Sequence, residues 1–408
     1  MPLGFEVAGA DWVAALLPIE TLLEEGPPAV YDWDLPHTIG ELSYLTHNYY
    51  RYYGKFPPSI PRKLLRDFRP RPGAWVLDPY SGSGTTLVEA LCEGVPSIGV
   101  DISPLATLAG NVKTTIVDDA SVRENLRAVL DAASRSDPML PEKPSQWFSD
   151  EATADLGRLK AALVALPGGP VRSFLVLAFF AIIRRVSKAH DGEVRPHINE
   201  AKRERDVLGA YTKKVGDMLD RMAVLRSEAK VNTPALAMTA DSRSVADNEE
   251  IRARDIGMVI SHPPYLNCFD YVPVYKLEYS WASDFAEVGK DFDYNALRAA
   301  ETRAWPATDA RIFGKYFSDL DKTYRAVAEL LKPGDYCAVV LGDCKVGGKV
   351  VPVLDRFTEQ MAAAGYELSR TYLRSTHYGI GKYAYADRAD YHGDEAEKRD
   401  GVLLFTRV

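Results

Sequence analysis

A chain of 408 residues with 46% hydrophobic content is long enough for one large α/β domain with an insertion, or for two domains. A net charge of −8 excludes a uniformly basic nucleic-acid binder, so contact with phosphate has to come from local patches. Four cysteines with no C-x-x-C pair exclude a disulfide framework and a Cys-based metal site, and predict reduced thiols and a cytoplasmic protein. The longest apolar run, Phe174 to Ile183, is too short to span a bilayer, and Met1 to Ala10 lacks the basic start of a signal peptide.

Residues 1–45 read as an irregular lead-in with one short helix near Asp11 to Leu17. An aromatic string from His47 to Pro58 follows, and Pro57 and Pro58 end it in a fixed turn before Ile60 to Phe68 takes up helical spacing. Arg51 to Arg71 carries seven basic residues against one acid. Trp75 to Leu77 reads as a buried strand ending at Asp78. A loop with Gly82 and Gly84 leads from it to Leu87–Cys92, which has helical spacing and could be capped by Thr85 and Thr86. Strand, tight glycine turn and helix is how a doubly wound sheet presents a cofactor. A second strand, Ser97 to Val100, ends at Asp101, which is placed to accept hydrogen bonds from ribose hydroxyls.

The string Asp78-Pro79-Tyr80-Ser81-Gly82-Ser83-Gly84-Thr85-Thr86 resembles the cofactor loop of the AdoMet-dependent DNA amino-methyltransferases, D-P-F-x-G-x-G-T-T. No Lys follows the glycines, as a phosphate-binding loop would need. The resemblance implies S-adenosylmethionine (AdoMet) as cofactor, held by Asp78, Pro79, Tyr80, Gly82, Gly84, Thr85 and Thr86, with Asp101 and Ile102 beyond the next strand. Lys55-Phe56-Pro57 resembles the turn that packs on the methionine end of AdoMet in the same enzymes.

Residues 118–230 interrupt the sheet with four helical patterns, Ala120–Ala133, Asp150–Ala165, Val171–Ala189 and Glu200–Ala229. The third is apolar nearly all round and is expected to be the buried centre of an inserted subdomain. Arg184 to Lys214 holds nine basic residues against five acids. In the resembled family an insertion placed here suggests target reading. Arg184, Arg185, Lys188 and Arg195 are therefore expected to contact DNA; the alternative is charge complementarity at a helix terminus.

The sheet resumes at Ala235 to Thr239, followed by Asp241, a position that in the family faces the adenine ring, and then at Ile256 to Ile260. Ser261-His262-Pro263-Pro264-Tyr265 resembles the family's catalytic D/N/S-P-P-Y/F/W. An exocyclic amino group is conjugated with its ring, so its lone pair is a poor nucleophile. Acceptors set against its hydrogens, one from the side chain before the first Pro and one from a Pro carbonyl, let the nitrogen turn tetrahedral. The aromatic residue stacks on a base swung out of the helix. Here His262 stands where Asp, Asn or Ser is usual, and a neutral imidazole offers one acceptor nitrogen. His262, Pro263, Pro264 and Tyr265 are the expected catalytic residues, with Ser261 or a backbone carbonyl as the alternative to His262.

Tyr316 to Leu331 then reads as a helix, Tyr336 to Leu341 as a strand and Val351 to Ala364 as a helix. Tyr366–Leu373 and Val402–Thr406 read as a closing strand pair with a long loop, Arg374 to Asp400, between them. The expected fold is a doubly wound, seven-stranded α/β methyltransferase sheet with a helical insertion. Its parts are 1–117 (lead-in and cofactor half), 118–230 (insertion) and 231–408 (catalytic half). The S-P-P-Y-like motif implies cytosine N4 methylation of double-stranded DNA with the base flipped out, and a cognate restriction endonuclease as the partner such enzymes have. Adenine N6 methylation of DNA, RNA methylation, and an inactive module that only binds AdoMet or DNA are the alternatives.

Overall fold

Apolar side chains alternate along the central strands, which fixes the layers. Val76 and Leu77, or Val339 and Val340, are adjacent in sequence yet belong to cores on opposite faces of one sheet. The computed structural model describes residues 29–32, 43–141, 146–203, 205–230, 232–289, 292–346, 349–373 and 400–408. The helix expected near Asp11 and residues 374–399 of the long loop lie outside the described residues.

The sheet contains β1 (Ala29–Asp32), β2 (Trp75–Asp78), β3 (Ser97–Asp101), β4 (Ala235–Thr239), β5 (Ile256–Ser261), β6 (Tyr336–Gly342), β9 (Tyr366–Leu373) and β10 (Asp400–Arg407). Its order is β1-β9-β10-β6-β5-β2-β3-β4. Strand β10 runs antiparallel to both neighbours, and the other pairings are parallel. Seven of these strands match the expected sheet, antiparallel closing strand included. The eighth, β1, comes from the stretch expected to be irregular and adds to the edge beside β9. A small hairpin, β7 (Cys344–Val346) with β8 (Lys349–Val351), also departs from expectation. The helix expected from Val351 starts after Pro352, at Val353, because proline suits the start of a helix and not its interior.

Helix α1 (Ser59–Asp67) packs Ile60, Leu64 and Leu65 against Val76, Met258, Ile260 and Val340 on one face. On the other face, Leu320 and Val327 of α8 (Ala310–Ala328) and Phe357 of α9 (Val353–Ala363) meet Leu77, Val259, Val339 and Leu341.

Helices α2 (Thr85–Glu93) and α3 (Pro104–Thr114) flank the β3 side. The insertion builds α4 (Asp119–Ala133), α5 (Asp150–Ala165), α6 (Pro170–Val186) and α7 (Val207–Glu228) onto them. Phe174, Phe179 and Phe180 of α6 are buried, as are Tyr211 and Met218 of α7. The same continuous core takes in Leu91 of α2, Leu108 and Val112 of α3, and Trp281 and Phe285 from beyond β5. One core therefore crosses both ends of the insertion.

The α2–α3 contact depends on glycine. Gly84 has φ of 79°, and a Cβ there would lie 2.7 Å from the Cα of Gly110. Gly84→Ala is expected to lower unfolding free energy by about 1–3 kcal/mol, from backbone strain and lost close approach. Denaturant titration would check this, and an unchanged midpoint would contradict the packing argument.

Candidate active site

Strands β2 and β5 are the switch point of the sheet: from β2 the order runs to β3 and β4 on one side, and from β5 to β6 on the other. Open α/β sheets bind ligands at the carboxyl ends of strands at such a point. A cleft enclosing about 870 Å³ of space, open solvent included, lies there. Of the expected cofactor residues, Lys55, Phe56, Pro79, Tyr80, Gly82, Thr85, Asp101, Ile102 and Asp241 line it, and His262 and Pro264 line it with them. Pro57, Asp78, Gly84, Thr86, Pro263 and Tyr265 do not face into it.

The residues behind the wall shape it. Asp78 is turned under the glycine loop, where it accepts from the Thr86 hydroxyl at 2.5 Å and the Tyr80 N–H at 3.1 Å. Burial pushes its carboxyl up to about 7, against the pull of those two donors. Lys113, fully buried in α3, donates to the Ser83 carbonyl and hydroxyl, both at 2.8 Å, and pins the loop from below. Glu89 of α2 accepts from His47, Arg62 and Tyr44, which ties the aromatic string to the loop's helix. Gly82, at φ of 48°, leaves room for Tyr52: a Cβ there would lie 2.8 Å from the tyrosine ring.

Asp101 is one of three carboxylates that line the cleft, with Asp241 and Glu301. The N–H groups of Gly82 (3.0 Å) and Ser103 (2.8 Å) each hold one of its oxygens, and burial pushes its pKa up to about 6. Asp241 caps the turn after β4 and carries a forked ion pair with Arg243. Burial acts to raise its pKa, but Arg243 brings it below the usual carboxylate value.

His262 follows the last residue of β5. Its ring stacks on Phe56 at 4.9 Å between centroids, with 11° between planes, and Tyr265 meets its edge at 5.2 Å. Phe56 thus joins the Lys-Phe-Pro turn to the His-Pro-Pro-Tyr loop. Ser261 points the other way: it is 0% exposed, and its oxygen accepts from the Tyr324 hydroxyl at 2.8 Å. The Pro264 carbonyl accepts from the Tyr316 hydroxyl at 2.8 Å.

Sequence reasoning did not single out the rest of the wall. Tyr52, Tyr275 and Tyr279 line the cleft, Tyr52 stacks with Tyr271 and Tyr275, and Tyr279 shares a hydrogen bond with Ser103 at 2.6 Å. Glu301 and Thr302 close it; burial raises the pKa of Glu301, whose carboxylate accepts from the Tyr271 and Val272 N–H groups. Tyr52 was visible in the aromatic string that ends at Pro58, but no pattern marked Tyr275 or Glu301.

The four basic residues of the insertion separate. Arg184 is buried, donates to the Glu193 and Val194 carbonyls, and lies over the Tyr53 ring. Arg185 and Arg195 are exposed, and Lys188 is half-buried. The Arg195 guanidinium lies 4.2 Å from the ring centre of the exposed Trp305.

Residues 27–107 match the family model described as DNA methylase (N6_N4_Mtase). The type II methyltransferase M.MvaI of Kocuria varians is 26% identical over 37% of this chain and 36% of its own length. The type II methyltransferase M.MjaII of Methanocaldococcus jannaschii is 37% identical over 24% of this chain and 19% of its own. The matched stretches thus span about a third or less of these relatives. Among solved structures, TrmN from Thermus thermophilus aligns over 86% of this chain and 49% of that one at 12% identity, with a TM-score of 0.32; the fold assignment rests on the sheet order instead. The sheet order is that of the α/β methyltransferase fold, and residues 27–107 are similar to the DNA methylases, a likeness that points to AdoMet as the cofactor.

The cleft suits that cofactor. It is large enough for a nucleoside with a side chain. It presents a carboxylate for ribose hydroxyls, and Tyr52 and Phe56 give it an aromatic wall.

Proposed function

We propose that this protein methylates an exocyclic amino group of a DNA base, and more narrowly N4 of cytosine. The observation that carries the reading is the shared cleft: His262 and Pro264 open onto the space bounded by Asp101 and Gly82. AdoMet supplies an electrophilic methyl group on a positively charged sulfur. The residues of the chain then have three tasks. Asp101 and the glycine loop hold the nucleoside end, while Lys55 and Phe56 bound the methionine end. His262 Nδ1 or Nε2, in the neutral tautomer with a lone pair toward the cleft, accepts a hydrogen from the amino group. That hydrogen bond would free the lone pair of the base amino nitrogen for the methyl group that AdoMet would supply, and the imidazole would take up the proton released. The Pro263-Pro264 pair stiffens the loop that carries these acceptors. The preference for cytosine rests on the likeness of Ser261–Tyr265 to the S-P-P-Y branch.

The DNA surface in this reading is the open side of the basic insertion, namely the exposed Arg185 and Arg195 with the half-buried Lys188, and the Arg195–Trp305 pair joins it to the catalytic half. Arg184 supports that surface from inside. A cognate endonuclease is the partner this reading suggests. Charge reversal at Arg185 and Arg195 is expected to weaken duplex binding and flatten its log–log salt dependence by about one unit per lost phosphate contact. Fluorescence anisotropy across a salt series tests it; unchanged affinity and slope would remove this face from the DNA contact. Labelled methyl transfer, run in parallel on duplex DNA and on RNA, tests the substrate.

A further inference from the structure

The aromatic wall of the cofactor cleft has a second side. Tyr52 and Tyr275 face the cleft, while Tyr50, Tyr53 and Glu278 face another cavity that encloses about 820 Å³, open solvent included. Four arginines border that cavity, Arg51, Arg184, Arg185 and Arg205, against two carboxylates, Asp191 and Glu278. Asp191 is already paired with Lys202 at 2.8 Å and Arg205 at 3.1 Å. The surplus is positive, and Arg51, Arg185 and Arg205 are exposed.

The inner end has a different chemistry. Glu278 is 5% exposed and Tyr50 3%, yet neither Glu278 Oε2 nor the Tyr50 hydroxyl has a hydrogen-bond partner among the described residues. Buried polar groups are nearly always satisfied, so two such groups in one cavity point to something that satisfies them. Burial raises the Glu278 carboxyl to about 7, and Arg184 and Arg51 pull against it. Burial, and then Glu278 itself, drive the Tyr50 phenol well above its usual range, and both groups line the one cavity.

A ligand that answers both ends carries a negative group for the arginines and, some distance away, N–H donors for a carboxylate. We propose that this cavity binds a nucleoside phosphate, with the phosphate on Arg51, Arg185 and Arg205 and the N–H edge of the base donating to Glu278. Guanine fits best, because N1–H and N2–H are adjacent donors that match a carboxylate, and Tyr53 and Phe180 supply apolar walls. The nucleotide comes either from a DNA strand, which rests on the methyltransferase reading, or from the free pool, which does not.

The test is calorimetric titration of the whole chain with dGMP, dTMP and deoxyguanosine, alongside anisotropy with a fluorescent duplex. The expected order puts dGMP ahead of both others. Glu278→Gln keeps the shape but sets an amide N–H₂ against the base donors. It is expected to weaken guanine-nucleotide binding by about tenfold or more while AdoMet affinity stays unchanged. Arg185→Ala, an exposed change that leaves the fold alone, is expected to weaken dGMP and leave deoxyguanosine as it was. A DNA source predicts that Glu278→Gln lowers duplex affinity as well, whether or not dGMP alone binds. A free nucleotide predicts dGMP binding with duplex affinity untouched. Failure of all three small ligands at millimolar concentration, with equal duplex affinity for wild type and Glu278→Gln, would overturn the proposal. Wild-type methyl transfer measured on the same preparation separates this outcome from failure of the methyltransferase reading, which would appear as no transfer at all.

Discussion

His262→Ala is expected to lower turnover on the order of 100-fold, the scale of losing one preorganised polar group at a reacting centre. AdoMet affinity should change far less, since Asp101 and the glycine loop are untouched. The imidazole also stacks on Phe56, so lost packing has to be separated from a lost acceptor. His262→Phe does this: it keeps an aromatic face against Phe56 and removes the lone pair, and it should be as slow as the alanine variant. His262→Ser restores the usual family motif and should turn over faster than either. Single-turnover methyl transfer with saturating DNA and AdoMet measures all of these. Wild-type turnover in His262→Phe would assign the residue to packing alone.

Asp101→Ala is expected to weaken AdoMet binding by about 1–3 kcal/mol, the scale of hydrogen bonds to a charged group. The pH dependence follows from the direction of the shift. The Asp101 pKa is raised to about 6, so its ionised, accepting form dominates above that pH and is lost as pH falls through it. Affinity should therefore be full near pH 8 and decline below about pH 6, and Asp101→Asn should flatten that decline. Ribose hydroxyls favour the ionised carboxylate, so binding near pH 6 should release protons, visible as a buffer-dependent calorimetric enthalpy. Equal affinity at both pH values would remove Asp101 from the cofactor contact.

The sheet was legible because its central strands are short apolar runs closed by a carboxylate or a glycine turn. The edge strand Ala29–Asp32 was not: it is four residues long and flanked by Pro27, Pro28 and Pro36. Within the site, sequence found the loops but not the facing of neighbouring side chains. Asp78 and Asp101 both end strands, yet Thr86 and the Tyr80 N–H turn the first inward, while Gly82 and Ser103 hold the second toward the cleft. Arg184 and Arg185 belong to one run of charge, but helical rotation of about 100° per residue sends one into the interior and the other to solvent. Ser261 and His262 could have been separated in advance: alternation along β5 puts neighbours on opposite faces, and only the second faces the cleft. Glu301 carries no local signal, because the backbone donors it holds are about thirty residues away.

The most direct test of the central claim is nucleoside analysis. Unmodified duplex DNA is incubated with the protein and isotopically labelled AdoMet, digested to nucleosides and resolved by mass spectrometry. The account predicts labelled N4-methylcytosine, formed far more slowly with His262→Phe. Labelled N6-methyladenine would keep the chemistry and overturn the choice of base. A protein that binds AdoMet but leaves no label on any exocyclic amino group would contradict the account.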